Sequence, residues 1–206
     1  MHWNILDKER ADILPLFGSL KDDKFYLAGG TALALQIGHR DSIDFDFFTP
    51  QPVDTNKLFE KILAVFKDHR VAKVQDEPNT LGIIVDESIK MSFMSYDYEL
   101  LRPLVETEFF PLASIADIIC MKFSAITSRS VMKDYVDIYF ILKQMSLKEA
   151  LALCSVRYPS IDTALVLKSL VYFEDIVPEP IMYKEGNDTE FEDIKDFLRA
   201  QVKGIY

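Results

Sequence analysis

Residues 25–49 read FYLAGGTALALQIGHRDSIDFDFFT, and the way this stretch alternates and breaks decides how the chain folds. Phe25-Tyr26-Leu27-Ala28 is a short apolar run that reads as a buried strand, stopping at Gly29-Gly30. Thr31 to Ile37 suits a short helix, closed by Gly38, a residue that readily takes the left-handed conformation at a helix end. From Ser42 to Phe48 polar and apolar residues alternate, which predicts a second strand. On it Ile43, Phe45 and Phe47 share the face toward the core, while Ser42, Asp44 and Asp46 share the other. Two carboxylates then stand side by side, roughly 6–7 Å apart at the backbone given the strand rise. Such a pair repels itself, and a divalent cation or a shared proton relieves it. Mg²⁺ bridging to substrate phosphates is one reading; a solvated sheet face that carries two acids is the plainer one.

The glycine turn adds a second feature. Gly-Gly between a strand and a helix lets backbone N–H groups approach a phosphate, although an ordinary tight turn capped by Thr31 needs the same residues. Further out, residues 7–20 look helical, with Ile13, Leu14 and Phe17 on one side and Pro15 bending or shortening the helix. Asp54 caps a helix reaching about Lys67, with Leu58, Ile62, Leu63 and Phe66 inward. Strands follow near 70–75, 80–85 and 89–96, the last two joined by a tight turn at Asp86-Glu87-Ser88. Past residue 100 a loop with Pro103 and Pro111 leads into helices near 113–128, 131–145, 147–157 and 162–173. Pro178-Glu179-Pro180 then marks a linker before a last helix over 190–203. A mixed α/β half followed by an all-helical half predicts an α+β fold, with one unit over 1–100 and a helical bundle over 101–206 completing a cleft.

The whole chain has 206 residues, 23 Lys+Arg against 33 Asp+Glu, and a formal charge of −10, which argues against an extended RNA- or DNA-binding surface. The charge is uneven. Residues 174–196 hold nine acids against Lys184 and Lys195, whereas residues 120–148 hold five basic side chains against Asp134 and Asp137. The acidity is therefore expected away from any phosphate site on the helical half. Cys120 and Cys154 fall in apolar helical stretches and read as buried free thiols. His39, beside Arg40, suits phosphate contact or proton carriage as well as a plain loop role, and His2 and His69 have no evident partners. The N-terminus lacks the order of a signal peptide and no apolar run approaches the roughly 20 residues of a membrane span, so a cytoplasmic protein without membrane contact is expected.

Three stretches together resemble one family. GGTALALQIGHRDSIDFDFF, residues 29–48, is similar to motif I of the AbiEii/AbiGii-type toxin nucleotidyltransferases, in which Gly-Gly-Thr-Ala-Leu precedes Arg-x-Ser-x-Asp-x-Asp; Arg40, Ser42, Asp44 and Asp46 stand at those places. IADIICMKFSAITSRSVMKDYVDIYFIL, residues 115–142, resembles the family's helical segment with its Lys, Arg and Lys-Asp-x-x-Asp, here Lys122, Arg129, Lys133, Asp134 and Asp137. FEDIKDFLRAQVKG, residues 191–204, looks like its closing helix. The resemblance implies a polymerase-β-like nucleotidyltransferase fold, with a mixed sheet, flanking helices and a C-terminal helical bundle. It implies Mg²⁺- (or Mn²⁺-) dependent transfer from an NTP to a hydroxyl acceptor, an RNA such as a tRNA end, by a toxin paired with an antitoxin or serving phage defence. Asp44 and Asp46 would hold metal; Gly29, Gly30, Thr31, Arg40 and Ser42 would hold the triphosphate; Lys122, Arg129 and Asp134 would complete the site.

Lys122 and Arg129 lie seven apart, two helical turns, and so would share a face and neutralise phosphate charge. Asp134 would orient one of them or take a proton from the attacking hydroxyl; a latch of ion pairs between two helices uses the same residues. Members of the wider superfamily place a third carboxylate on a later strand, and the candidate strand here offers Ser92. The alternative is a module that binds NTP or a partner without turnover; a metal-dependent phosphohydrolase is a third reading.

Overall fold

In the computed structural model, which describes residues 1–205, a 3-10 turn at Trp3–Ile5 precedes α1 (Lys8–Ile13), whose first turn is capped by the Asp7 carboxylate accepting from the Arg10 amide. The single helix expected over 7–20 is divided, because Leu14–Asp23 winds as 3-10 helix. Pro15 has no N–H to donate to the carbonyl four residues back, and its ring crowds that carbonyl. Strand β1 (Tyr26–Ala28) then passes directly into α2 (Gly29–Ile37), two residues earlier than the sequence suggests. Next come β2 (Phe45–Thr49), α3 (Thr55–Val65), β3 (Val71–Glu77), β4 (Thr80–Val85) and β5 (Ile89–Ser95). Gly38 ends α2 at φ +67°, and Asp54 caps α3 by accepting from the Lys57 amide.

The five strands form one mixed sheet in the order β1-β2-β5-β4-β3. β2 and β5 run parallel, and the other neighbours are antiparallel. The register sets Asp46 between Ala28 on one side and Ser92 on the other. The strand expected over 42–48 begins only at Phe45. Its would-be partner β1 has already turned into α2 at Gly29, so residues 42–44 have no strand on the β1 side to pair with. Side chains take their carbonyls instead: Arg10 Nε donates to Ile43 O at 2.7 Å, and the Thr31 hydroxyl donates to Asp44 O. Ile43, expected to face the core, is consequently about half exposed.

The helical half comprises α4 (Ile115–Ile126), α5 (Met132–Leu142), α6 (Leu147–Arg157), α7 (Thr163–Leu170) and α8 (Phe191–Lys203). Ser114, Ser146 and Asp162 cap α4, α6 and α7 through their side-chain oxygens. The helical half is tied to the sheet by main chain as well as by packing. Leu27 N donates to Pro111 O and Ala113 N to Leu27 O, so the segment before α4 lies along β1. One apolar core runs through both halves, from Phe17, which packs on Phe45, Phe47 and Phe110, to Phe123 and Val136.

Beneath the α4–α6 contact lies a fully buried ion pair that the sequence does not advertise, Asp117 with Arg157. Asp117 also accepts from the Leu101 amide and the Ser114 hydroxyl, while Arg157 donates to Glu99 O, which pins the 99–101 loop. Cys120 and Cys154 are buried and free, as expected. His69 does find a partner, Asp86 Oδ2, at 2.6 Å. Among the described residues no helix is long and apolar enough to cross a membrane.

Candidate active site

A cavity of about 400 Å³ opens where the N-terminus of α2, the approach to β2 and the α4–α5 corner meet. Gly30, Thr31, Arg40, Ser42, Asp44 and Asp46 line one side of it, and Lys122, Arg129 and Asp134 line the other. Gly29 lies just behind Asp46: a Cβ placed there would sit 3.2 Å from Asp46 Oδ2, and its φ of +68° is one that glycine adopts without strain. Bare backbone at this turn therefore leaves room for the carboxylate.

Asp44 is exposed and Asp46 half-buried, both toward the same cavity. Burial pushes the Asp46 carboxyl above the usual carboxylate range; the Ser92 hydroxyl opposes this by donating to it, and the negative Asp44 adds to the upward push. Ser92 thus occupies the place beside Asp46 where the sequence comparison with nucleotidyltransferases looks for a third acid. Among the described residues no group of three or more His, Cys, Asp or Glu gathers into a metal cluster.

The cationic side is built on two buried acids. Asp137, fully buried, accepts from Arg40 through two bonds of 2.8 Å (Nε to Oδ1, Nη2 to Oδ2) and from His39 Nε2 at 2.8 Å. Lys122 Nζ lies 2.5 Å from its Oδ2. Desolvation resists this charge, but Lys122 and Arg40 outweigh it and hold the carboxyl well below the usual range. Asp134 accepts from Lys122 Nζ at 2.7 Å and from Arg129 Nε at 2.8 Å. Lys122 is therefore gripped between two carboxylates at the cavity floor. Arg129 lies beyond the end of α4 in the α4–α5 loop rather than on the helix face shared with Lys122, and reaches Asp134 from solvent.

Three assignments made from sequence change character. The Arg40 guanidinium is committed to Asp137 and to Asp41 O, so it braces the turn. The Thr31 hydroxyl is shared with Ser42 Oγ (2.7 Å) and Asp44 O, which holds the Asp44 loop onto α2. His39 is buried, with burial lowering its pKa, and serves Asp137 rather than the cavity. Gly30 shows how tight this brace is, since a Cβ there would lie 2.5 Å from Arg40 Nη2. Gly30→Ala should accordingly cost about 1–3 kcal/mol in denaturant unfolding. Gly18→Ala, where nothing lies within 4 Å, should cost far less.

Sequence reasoning missed a further wall of the cavity. Residues 179–182 line the cavity, although the acidic segment containing them was expected away from the site. Glu179 pairs with Lys133 Nζ at 2.8 Å, Lys184 pairs with Asp41, and Asp41 N donates to Met182 O. The legible signal was the pairing potential of Glu179 and Lys184 with Lys133 and Asp41, which sequence distance hides. Tyr96 and Tyr98 pack with Tyr158 at ring distances of 4.8–4.9 Å between neighbours.

Residues 16–203 match the family described as nucleotidyl transferase AbiEii toxin, Type IV TA system. An uncharacterized protein from Aquifex aeolicus is 38% identical over 205 residues, 96% of each chain. Among solved structures, JHP933 from Helicobacter pylori superposes with a TM-score of 0.63 at 17% identity, over 100% of this chain and 93% of that one. MenT4, a nucleotidyltransferase toxin from Mycobacterium tuberculosis, gives 0.62 at 14% identity, over 93% and 80%. At these identities the two superpositions establish a shared fold.

Proposed function

Because the chain belongs to the AbiEii nucleotidyl transferase toxin family, we propose that its cavity binds an NTP and transfers the nucleotidyl group to a hydroxyl acceptor, an RNA such as a tRNA end. On this reading it acts in the cytoplasm as the toxin of a toxin–antitoxin or phage-defence pair and is held in check by an antitoxin protein. One observation carries the chemistry: two carboxylates, Asp44 and Asp46, share the lining of a single cavity with Lys122 and Arg129.

The donor set suits a hard divalent cation. Two carboxylates on neighbouring positions, one of them raised in proton affinity by burial and by the other, gain from a shared Mg²⁺ or Mn²⁺. Bound there with the triphosphate, the ion would supply charge neutralisation at the reacting phosphate. The chain's own residues do the rest. The acceptor hydroxyl oxygen bonds to the α-phosphorus while its proton passes to solvent, the bridge to the β-phosphate breaks, and pyrophosphate leaves with the electron pair. Lys122 and Arg129 meet the charge that develops on it. Asp134, already shared between those two cations, positions them. Ser42 and the backbone at Gly30 border the space for the phosphates.

Ser92 in place of a third acid favours a second reading, a module that binds NTP without turnover. Incubation with Mg²⁺, each α-labelled NTP and total RNA separates the two. The transferase labels RNA with at least one NTP. Saturable NTP binding with no transfer to any acceptor assigns the module, and labelled NDP or NMP with no label in RNA assigns hydrolysis.

A further inference from the structure

The cavity has two chemically distinct sides. Its buried lining, the floor, is ionic (Lys122 and Asp134), whereas its more exposed lining, the rim, carries Ile43, Val131, Pro180, Ile181 and Met182 beside the exposed Asp44. Ile43 is 51% exposed and Met182 66% exposed. Single exposed apolar side chains are ordinary, but these converge on one opening beside a charged floor. Nor is their placement loose. Met182 is fixed through its carbonyl to Asp41 N at 2.8 Å, and the main chain on its far side is fixed by Lys184 N donating to His39 O at 3.1 Å. Val131 is bridged to Val177, and Lys133 holds Glu179. Ile43 is turned outward because Arg10 and Ser42–Thr31 contacts hold residues 42–44 off the sheet.

We infer that this rim, with Ile43 and Met182 as its principal contacts, is the seat of the nucleobase of the bound NTP. The inference rests on the reading of the cavity as an NTP site and adds to it the part that no carboxylate or cation explains. A nucleotide is densely charged at one end and presents a flat, weakly polar face at the other, which matches a charged floor and an apolar rim on one cavity. A volume of about 400 Å³ suits a small molecule and is too small for a docked helix. Of the other acids lining the cavity, Glu179 and Asp41 are already paired with Lys133 and Lys184, and Asp44 is assigned to the cation. The rim therefore offers contact with the face of the base rather than a free charge.

The test compares ligands with and without a base. Calorimetric titration of each NTP and of inorganic tripolyphosphate, all with Mg²⁺, is made on the native chain and on Met182→Ser, Ile43→Thr and the double variant. The native chain should bind at least one NTP more tightly than tripolyphosphate. The double variant should raise the Kd for that NTP roughly tenfold, by loss of apolar contact, and leave tripolyphosphate binding unchanged. Unchanged NTP affinity in the variants overturns the inference, as does equal loss of both ligands, which would assign the side chains to the architecture of the cleft. Native binding of tripolyphosphate with no gain from the base overturns the base seat alone. If the native chain binds neither ligand, the NTP site itself fails.

Discussion

Asp137→Ala should cost about 3–5 kcal/mol of stability, a large share of the roughly 5–15 kcal/mol that holds a domain of this kind together. The carboxylate has no solvent exposure and accepts from Arg40 twice and from His39 once, with Lys122 in salt-bridge contact. Its removal leaves two buried cations facing one another. Arg40 keeps only Asp41 O, and Lys122 keeps only Asp134. Asp137→Asn keeps the shape and one accepting oxygen, so it should fall between the variant and the native chain. The pH dependence has a definite sign. The folded-state pKa of Asp137 is depressed, so its contribution is fully present above the unfolded carboxylate value of about 3.9 and is lost as pH falls through the folded value. Urea unfolding at several pH values should therefore show the widest gap between native and Asp137→Ala near neutrality, narrowing only below about pH 4. A gap that narrows between pH 5 and 8 would point to His39 in its imidazolium form as the group being stabilised.

The stretch 25–49 was legible because its features are local. A strand stopping at two glycines, a helix closed by Gly38 and acids two apart need no knowledge of the rest of the chain. The Ser92 position was reached through the family resemblance, and parallel pairing of β5 with β2 puts it level with Asp46. What escaped depends on partners far apart in sequence. Period-two alternation places Ile43 inward only if residues 42–44 sit in a ladder, and nothing local says that β2 begins only at Phe45. Likewise, the helical period links Lys122 to Arg129 only if α4 continues past Ile126, whereas the chain breaks there and Asp134 brings the two cations together instead. The wall at 179–182 was hidden deepest. A Pro-Glu-Pro linker in an acidic segment looks solvated until Lys133 and the main chain at Asp41 and His39 are seen to hold it in place.

On the proposed transferase reading, Asp44→Ala/Asp46→Asn should abolish labelling of RNA, by about three orders of magnitude or more, because several kcal/mol of charge stabilisation at the reacting phosphate would go with the two proposed oxygen ligands. The same double variant should fold at least as well as the native chain at neutral pH, and this is what separates a working acid from a structural one. Asp46 is the converse of Asp137. Burial and Asp44 raise its folded-state pKa, so its ionised form burdens the fold once pH exceeds the unfolded value of about 3.9. A neutral amide at that position, with the neighbouring charge also gone, removes the burden, and the gain should be present at pH 7 and vanish below about pH 4. Melting temperature and label transfer measured on one preparation give both results. Transfer lost together with stability would place the two carboxylates in the architecture. Transfer lost while stability holds or rises is the signature of groups kept at a cost for the cation and phosphate they bind.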